Sequence, residues 1–204
     1  AHARLLETLM ESCTILPVPF GRVLPGGEAI AAAIEPHAGA LLASLDRFRG
    51  KAEYGLRVEG DRRAILQAVV DEDPELHAWH ARLPRSGPEA YQARIALGQT
   101  VAERIAARRA RSEAALIEAL APLAEEHVVR GPEDDCQLIR AEFLVARAGE
   151  EAFARTVERA CAELGPDAGR APAIRLLGPA PVFNFCTIRL GSAPAAAPSE
   201  PARR

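Results

Sequence analysis

Apolar and polar side chains alternate in the segment 50–60, GKAEYGLRVEG, which lies between two stretches of helical character. The alternation places Tyr54, Leu56 and Val58 on one side of an extended chain and polar residues or glycine on the other. A period of two is typical of a β-strand with one buried face. Because even an isolated pair of strands is marginal in water, this segment predicts that later parts of the chain add strands to the same sheet.

A long helical stretch follows this strand. Asp61 is the predicted N-cap of a helix over Arg62–Val70, which the sequence Asp-Glu-Asp-Pro at 71–74 ends. The sequence Ser-Gly-Pro-Glu at 86–89 is a helix-start signal, and the helix then continues to about Ala124. About 36 residues with a rise of about 1.5 Å make a helix of about 54 Å. That length exceeds what a sheet of this size covers, so we expect the helix to project past the sheet.

The sequence from residue 127 to residue 177 predicts three more strands and one helix. The strands cover His127–Arg130, Gln137–Arg147 and Ala173–Leu177, and the helix covers Glu150–Leu164. From Gly50 onward, the order is strand, helix, strand, strand, helix, strand, which is the split βαβ arrangement of ferredoxin-like folds. The predicted fold class is therefore α+β. The residues expected to be buried together are Leu56, Val58, Leu138, Phe143, Val145, Phe153, Val157 and Ile174.

The N-terminal residues predict helices without a sheet of their own. A short amphipathic helix is predicted over His2–Ser12, an extended run over Thr14–Val18, and a helix over Glu28–Phe48 with a kink or break at Pro36. We interpret this segment as the closing part of a preceding α+β domain.

Three regions follow from these patterns. Residues 1–49 are the end of one domain, 50–190 form the ferredoxin-like domain, and 191–204 form a disordered tail rich in Ala and Pro. Within the second region, a further apolar extended run is predicted from Val182 to Ile188. Because Ala1 stands where an initiator methionine would be, we expect the chain to be a fragment or a processed form.

Charge and cysteine spacing exclude several classes of function. A net charge of −3 offers no concentrated basic surface, so a nucleic-acid partner is not expected. The four cysteines are widely spaced without a CxxC pair, which argues against a zinc ribbon and a redox pair. No apolar run approaches the roughly 20 residues of a membrane span, and the N-terminus lacks the pattern of a signal peptide. We therefore expect a cytosolic protein without a cofactor.

No segment carries a catalytic signature. Patterns for a Ser-His-Asp triad, a glycine-rich phosphate loop and a GxSxG elbow are all absent. His77 and His80 have a spacing that suits two metal ligands on one helix face, but no third ligand is near, and we favour a surface or packing role. The acidic runs at 71–75 and 133–135 could bind a cation or act as acid and base, although solvated turns are commoner.

Arg108, Arg109 and Arg111 interrupt the apolar stripe in the middle of the long helix, and Arg104 lies one turn before Arg108. They could bind an acidic partner protein, and we predict them as candidate partner-binding residues. The alternative is a solvated face, because Glu103 and Glu113 are close enough in sequence for local ion pairs.

Four ordered segments resemble one protein family. They read LPVPFG at 16–21, GKAEYGLRV at 50–58, SGPEAY at 86–91 and LGPAPVFNF at 177–185. Together they resemble the GvpL/GvpF family of gas vesicle accessory proteins over nearly the whole chain. That family normally begins with a further N-terminal segment containing strands, so the chain resembles roughly the later two-thirds of a member.

This resemblance implies a two-domain α+β protein that assists assembly of the gas vesicle shell. It implies contacts with the main shell protein GvpA and with other accessory proteins, at the gas vesicle in the cytoplasm, and no enzymatic activity. The residues alone leave a second hypothesis open, a ferredoxin-like dimerisation or small-ligand-binding module, because that fold serves many unrelated functions.

Overall fold

The computed structural model describes residues 2–18, 21, 23, 25–84, 86–167 and 169–186, and the predicted tail 191–204 lies outside these ranges. The chain divides into two compact units. One contains the chain up to Gly50 and the chain after Ala180, and the other is Lys51–Ala180. The second unit begins next to the predicted boundary and ends at Ala180, whereas the prediction extends that domain to residue 190. The domain limits of the protein stay a prediction.

The first unit contains three α-helices in its described residues. They are α1 (His2–Ser12), α2 (Gly27–Ile34) and α3 (Ala38–Arg47), and no strand forms among the described residues before Lys51. A 3₁₀ turn over Glu35–His37 separates α2 from α3 and contains Pro36. Proline has no amide hydrogen to donate and its ring clashes with the preceding turn. The predicted break at Pro36 is therefore confirmed.

The segment after Ala180 turns instead of continuing as an extended run. The Phe183 amide donates to the Pro181 carbonyl at 2.7 Å, and the Cys186 amide donates to the Val182 carbonyl at 3.0 Å. The predicted extended run over Val182–Ile188 is therefore wrong in its described part, because these local hydrogen bonds close a turn. Ile188 lies outside the described residues.

One antiparallel sheet organises the second unit. Its four strands lie in the order β2-β3-β1-β4, so the first strand in sequence is central and β2 and β4 are the edges. The elements in chain order are β1 (Lys51–Glu59), α4 (Arg62–Glu72), α5 (Pro74–Ala81), α6 (Pro88–Leu120), β2 (Glu126–Val129), β3 (Gln137–Ala146), α7 (Glu150–Glu163) and β4 (Ala173–Ala180).

The helix starts follow the predicted local chemistry. Asp61 caps α4, since its carboxylate accepts a hydrogen bond from the Ala64 amide at 2.9 Å. Gly87 precedes α6 with a φ of 98°, a left-handed conformation that favours glycine, and Pro88 occupies the first turn. The predicted cap at Asp61 and the predicted start of α6 are both confirmed.

The core lies on the face of β1 and β3 that packs against α7. Register pairs Tyr54 with Phe143 and Leu56 with Ala141 across the two central strands. The Phe153 ring of α7 lies 5.8 Å from the Tyr54 ring and 5.2 Å from the Phe143 ring, both in tilted contacts that aromatic pairs favour. The residues of the predicted core that are buried are Leu56, Val58, Leu138, Phe143, Val145, Phe153 and Val157.

Ile174 is the exception to the predicted core. It pairs with Val58, but the residue is 43% exposed to solvent because it lies on the edge strand β4. Most residues of β4 are exposed, as expected for a strand that has a neighbour on one side only. The burial predicted for Ile174 is therefore wrong.

An ion pair between the half-buried Arg57 and the buried Glu142 lies on the opposite face of the central strands. An Arg57 nitrogen, Nη2, donates to Oε1 of Glu142 at 2.6 Å, and the side chains are 19% and 8% exposed. Gly55 pairs with Glu142 across the strands. A Cβ atom added at Gly55 would lie 2.6 Å from Oε2 of Glu142, so glycine leaves the space that the carboxylate occupies.

Candidate partner-binding surface

Helix α6 carries the four predicted arginines. The part of α6 that precedes them in sequence packs on other helices of the same unit. The whole helix contains 33 residues, or about 50 Å, whereas the 10 residues of β3 extend about 33 Å. Leu97 packs with Val69 of α4 and Leu76 of α5 in one buried cluster. Residues 108–113 are half-buried or exposed, and none is fully buried. The middle of α6 thus remains in contact with solvent.

Arg104 is held by the turn between α4 and α5. Its Nε donates to Oδ2 of Asp73 at 2.9 Å. The other oxygen of Asp73 caps α5 by accepting hydrogen bonds from the amides of Glu75 and Leu76 at 3.0 and 3.1 Å. These bonds favour the ionised carboxylate, so the amide of Leu76 first, and Arg104 after it, lower the pKa of Asp73.

Arg108 joins three parts of the second unit. Its Nη1 lies 2.5 and 2.7 Å from the two carboxylate oxygens of Glu72 at the end of α4, and its Nη2 donates to the buried Asp167 between α7 and β4. Burial alone favours the neutral form of Arg108, but the two carboxylates outweigh burial and raise its pKa. Arg108 therefore connects α6 to α4 and to the loop before β4.

Arg109 and Arg111 form no ion pair with any described residue. Arg111 is exposed and shares a cleft of about 480 Å³ with Arg104, Arg108 and the carboxylates of the α4–α5 turn. Arg109 is half-buried and lines a separate groove of about 420 Å³ between α4 and α6. The predicted set thus divides into two arginines in internal ion pairs and two without one. Partner binding by all four stays a prediction.

The sequence patterns did not identify two of these features. Asp167 is 59 positions from Arg108, and nothing in its local sequence indicates that pairing. The groove does have a signal in the sequence. Gly98, Ala102 and Ala106 are small residues that recur every four positions and so lie on one side of α6.

The other candidate sites remain ordinary surface features in the described residues. His77 and His80 are on α5 and are exposed. Within the described ranges, no group of three or more His, Cys, Asp or Glu side chains is placed to hold a metal ion. Among the helices that the structure describes, none is long and apolar enough to cross a membrane.

Comparison with known sequences identifies one family. The family model described as "Gas vesicle synthesis protein GvpL/GvpF" matches residues 1–187. Gas vesicle protein F of Streptomyces sp. (strain CB03234) is 27% identical over 185 residues, which are 91% of this chain and 75% of the relative. Gas vesicle protein F of Nostoc sp. (strain PCC 7120 / SAG 25.82 / UTEX 2576) is 24% identical over 161 residues, 78% of this chain and 66% of the relative.

Two crystal structures share the fold. The gas vesicle protein GvpF from Anabaena sp. PCC7120 matches with a TM-score of 0.80 at 22% identity, and GvpF from Microcystis aeruginosa matches with 0.72 at 23%. Each match covers 92% of this chain and 76% of the other chain. A mixed α+β fold with a four-stranded antiparallel sheet is therefore the fold of this protein.

Proposed function

Because this chain belongs to the gas vesicle synthesis GvpL/GvpF family, we propose that it is a non-enzymatic assembly factor that binds the main shell protein GvpA and other accessory proteins. The family match over residues 1–187 is the observation that carries the proposal, since it supports an accessory role in gas vesicles. The site of action in this proposal is the gas vesicle in the cytoplasm.

Physical chemistry gives a reason for such a factor. A shell apolar enough to exclude water from a gas space is built from subunits that expose aggregation-prone surface before assembly. A charged protein that binds those subunits would keep them from associating wrongly. Arg109 and Arg111 support this role, because neither forms an ion pair with a described residue.

For Cys136 and Cys161, stoichiometric binding fits better than nucleophilic catalysis does. A reactive cysteine needs a lowered pKa, because the thiolate is the nucleophile. Burial instead raises the pKa of Cys161 to about 11, and burial followed by Asp134 raises that of Cys136. Both thiols therefore stay protonated at neutral pH.

We also propose that the domain predicted over residues 50–190 is ferredoxin-like, with its sheet and helices in the compact unit Lys51–Ala180. Support comes from the order of its elements, in which helices separate β1 from the β2–β3 pair and α7 separates that pair from β4. The strand order β2-β3-β1-β4 with antiparallel neighbours fits the split βαβ arrangement.

Co-purification tests the proposed function. The tagged full chain is co-expressed with GvpA, and we expect GvpA to be recovered with it. Charge reversal by Arg109→Glu with Arg111→Glu should reduce recovery. Matched reversal by Arg155→Glu with Arg159→Glu on α7 should not, because those exposed arginines already pair within their own helix. If the unmodified chain recovers neither GvpA nor an accessory protein, the proposed function is wrong.

A further inference from the structure

The groove between α4 and α6 exposes an apolar floor. Leu66 of α4 is 37% exposed, and Val101 and Ile105 of α6 are half-buried beside it. Val101 and Ile105 also pack against the buried Val69–Leu76–Leu97 cluster, which holds them in place. The volume of about 420 Å³ falls within the range of roughly 300–1,000 Å³ that ligand sites usually have. The groove is thus preformed and has an apolar floor.

One wall of this groove consists of small residues. Gly98, Ala102 and Ala106 are exposed and follow one another at intervals of one helical turn. A Cβ atom added at Gly98 would meet nothing within 4 Å, so packing inside the chain does not require glycine there. Glycine in a helix interior costs about 1 kcal/mol relative to alanine. Packing inside the chain therefore gives no reason for glycine at position 98. Close approach of a partner's backbone to α6 at this point would give one.

The rim of the groove is positively charged. Arg62 and Arg109 line it and form no ion pair with any described residue, and Asp135 is the acidic residue that lines it. The carboxylates of Asp61 and Glu72 do not neutralise these arginines, because Asp61 pairs with Arg170 and Glu72 pairs with Arg108. A local excess of one positive charge in a chain with a net charge of −3 favours an occupant that carries carboxylates.

We infer that this groove docks one amphipathic helix of a partner protein, with an apolar stripe and carboxylates along its edge. Apolar side chains of that helix enter between Leu66 and Ile105, its backbone approaches α6 at Gly98 and Ala102, and its carboxylates meet the arginines of the rim. This is the helix-in-groove mode of peptide recognition. The identity of the partner, a gas vesicle protein, rests on the proposed function, whereas the chemistry of the groove comes from its own residues.

A peptide pair tests this chemistry without the natural partner. The probes are two labelled helical peptides of about 18 residues, with the same leucine stripe and with either glutamate or lysine beside it. Fluorescence anisotropy with the full chain should give affinity for the glutamate peptide at least about tenfold higher than for the lysine peptide. Equal affinities, stronger binding of the lysine peptide, or no binding of either peptide would overturn the inference.

Two groove variants and one control locate the binding site. Ala102→Trp fills the groove from an exposed position and should weaken binding of the glutamate peptide at least about tenfold. Ala107→Trp is the matched control, because Ala107 is exposed on the same helix and lines neither of the two clefts beside α6. The double variant Arg62→Glu with Arg109→Glu should reverse the preference between the peptides, and it removes no buried side chain. Unchanged affinity in both groove variants would refute this location.

Co-purification with GvpA separates the inference from the proposed function. Loss of GvpA in Ala102→Trp but not in Ala107→Trp, with competition by the glutamate peptide, supports both. Equal recovery by both variants refutes the groove as the GvpA site and leaves the proposed function standing. Binding of the glutamate peptide without recovery of GvpA or an accessory protein by the unmodified chain supports the groove chemistry and overturns the proposed function.

Discussion

Replacing Gly55 by alanine should destabilise the protein through a single contact. The new Cβ would lie 2.6 Å from Oε2 of Glu142, whose other carboxylate oxygen is held by Arg57 at 2.6 Å. Glu142 must move, and because its side chain is only 8% exposed and paired with Arg57, the shift breaks a charge-assisted hydrogen bond that contributes about 1.5–3 kcal/mol. Alanine restricts the unfolded chain and returns about 0.4–1 kcal/mol. The expected net loss in the free energy of unfolding is therefore about 1–2 kcal/mol.

Urea unfolding followed by circular dichroism measures this loss, and a double-mutant cycle identifies its cause. In a Glu142→Ala background the carboxylate is absent, so Gly55→Ala should become stabilising by about 0.4–1 kcal/mol, with a coupling energy of about 1.5–3 kcal/mol. Gly131→Ala is the matched control, because a Cβ there meets nothing within 4 Å, and it should stabilise the protein by about 0.4–1 kcal/mol. The same loss for Gly55→Ala in both backgrounds would refute the contact as the cause.

Three further predictions follow from the ion pairs, the cap and the sheet edge. Arg108→Ala leaves the buried Asp167 without its partner and should cost about 3 kcal/mol, whereas Arg111→Ala should stay within about 0.5 kcal/mol; equal losses in urea unfolding would contradict this assignment. The folded-state pKa of Asp73 is lowered, so its contribution to stability is present above the unfolded pKa of about 3.9 and is lost as pH falls through the folded value. Asp73→Asn should therefore flatten the pH dependence of stability below pH of about 4, and an unchanged acid profile would exclude Asp73 as a contributor. Ile174→Thr should cost less than about 1 kcal/mol at its exposed edge position, while Phe153→Ala should cost about 3–5 kcal/mol; a comparable loss at both positions would show that β4 is covered.

Local chemistry allowed much of this fold to be predicted from sequence. The alternation around Leu56 identifies a strand, because side chains of an extended chain point to opposite faces in turn. Asp61 and Pro88 predict helix starts, and Pro36 predicts an interruption, since each acts on backbone groups within one helical turn of itself. Once the helix start at Pro88 is known, the helical spacing also places the four predicted arginines on this long helix. These features require only residues that are close in sequence.

Tertiary structure alone decided which of these residues are buried and which are paired. Val58 and Ile174 are neighbours in one sheet, yet one is buried and the other exposed because strand order puts β4 at the edge. Arg108 is bound inside the chain through Asp167, which lies 59 positions away, whereas Arg109 on the next position faces a groove between two helices. Sequence periodicity predicts which side of an element a residue occupies. What covers that side depends on the packing of distant segments, and so does the availability of an arginine to a partner.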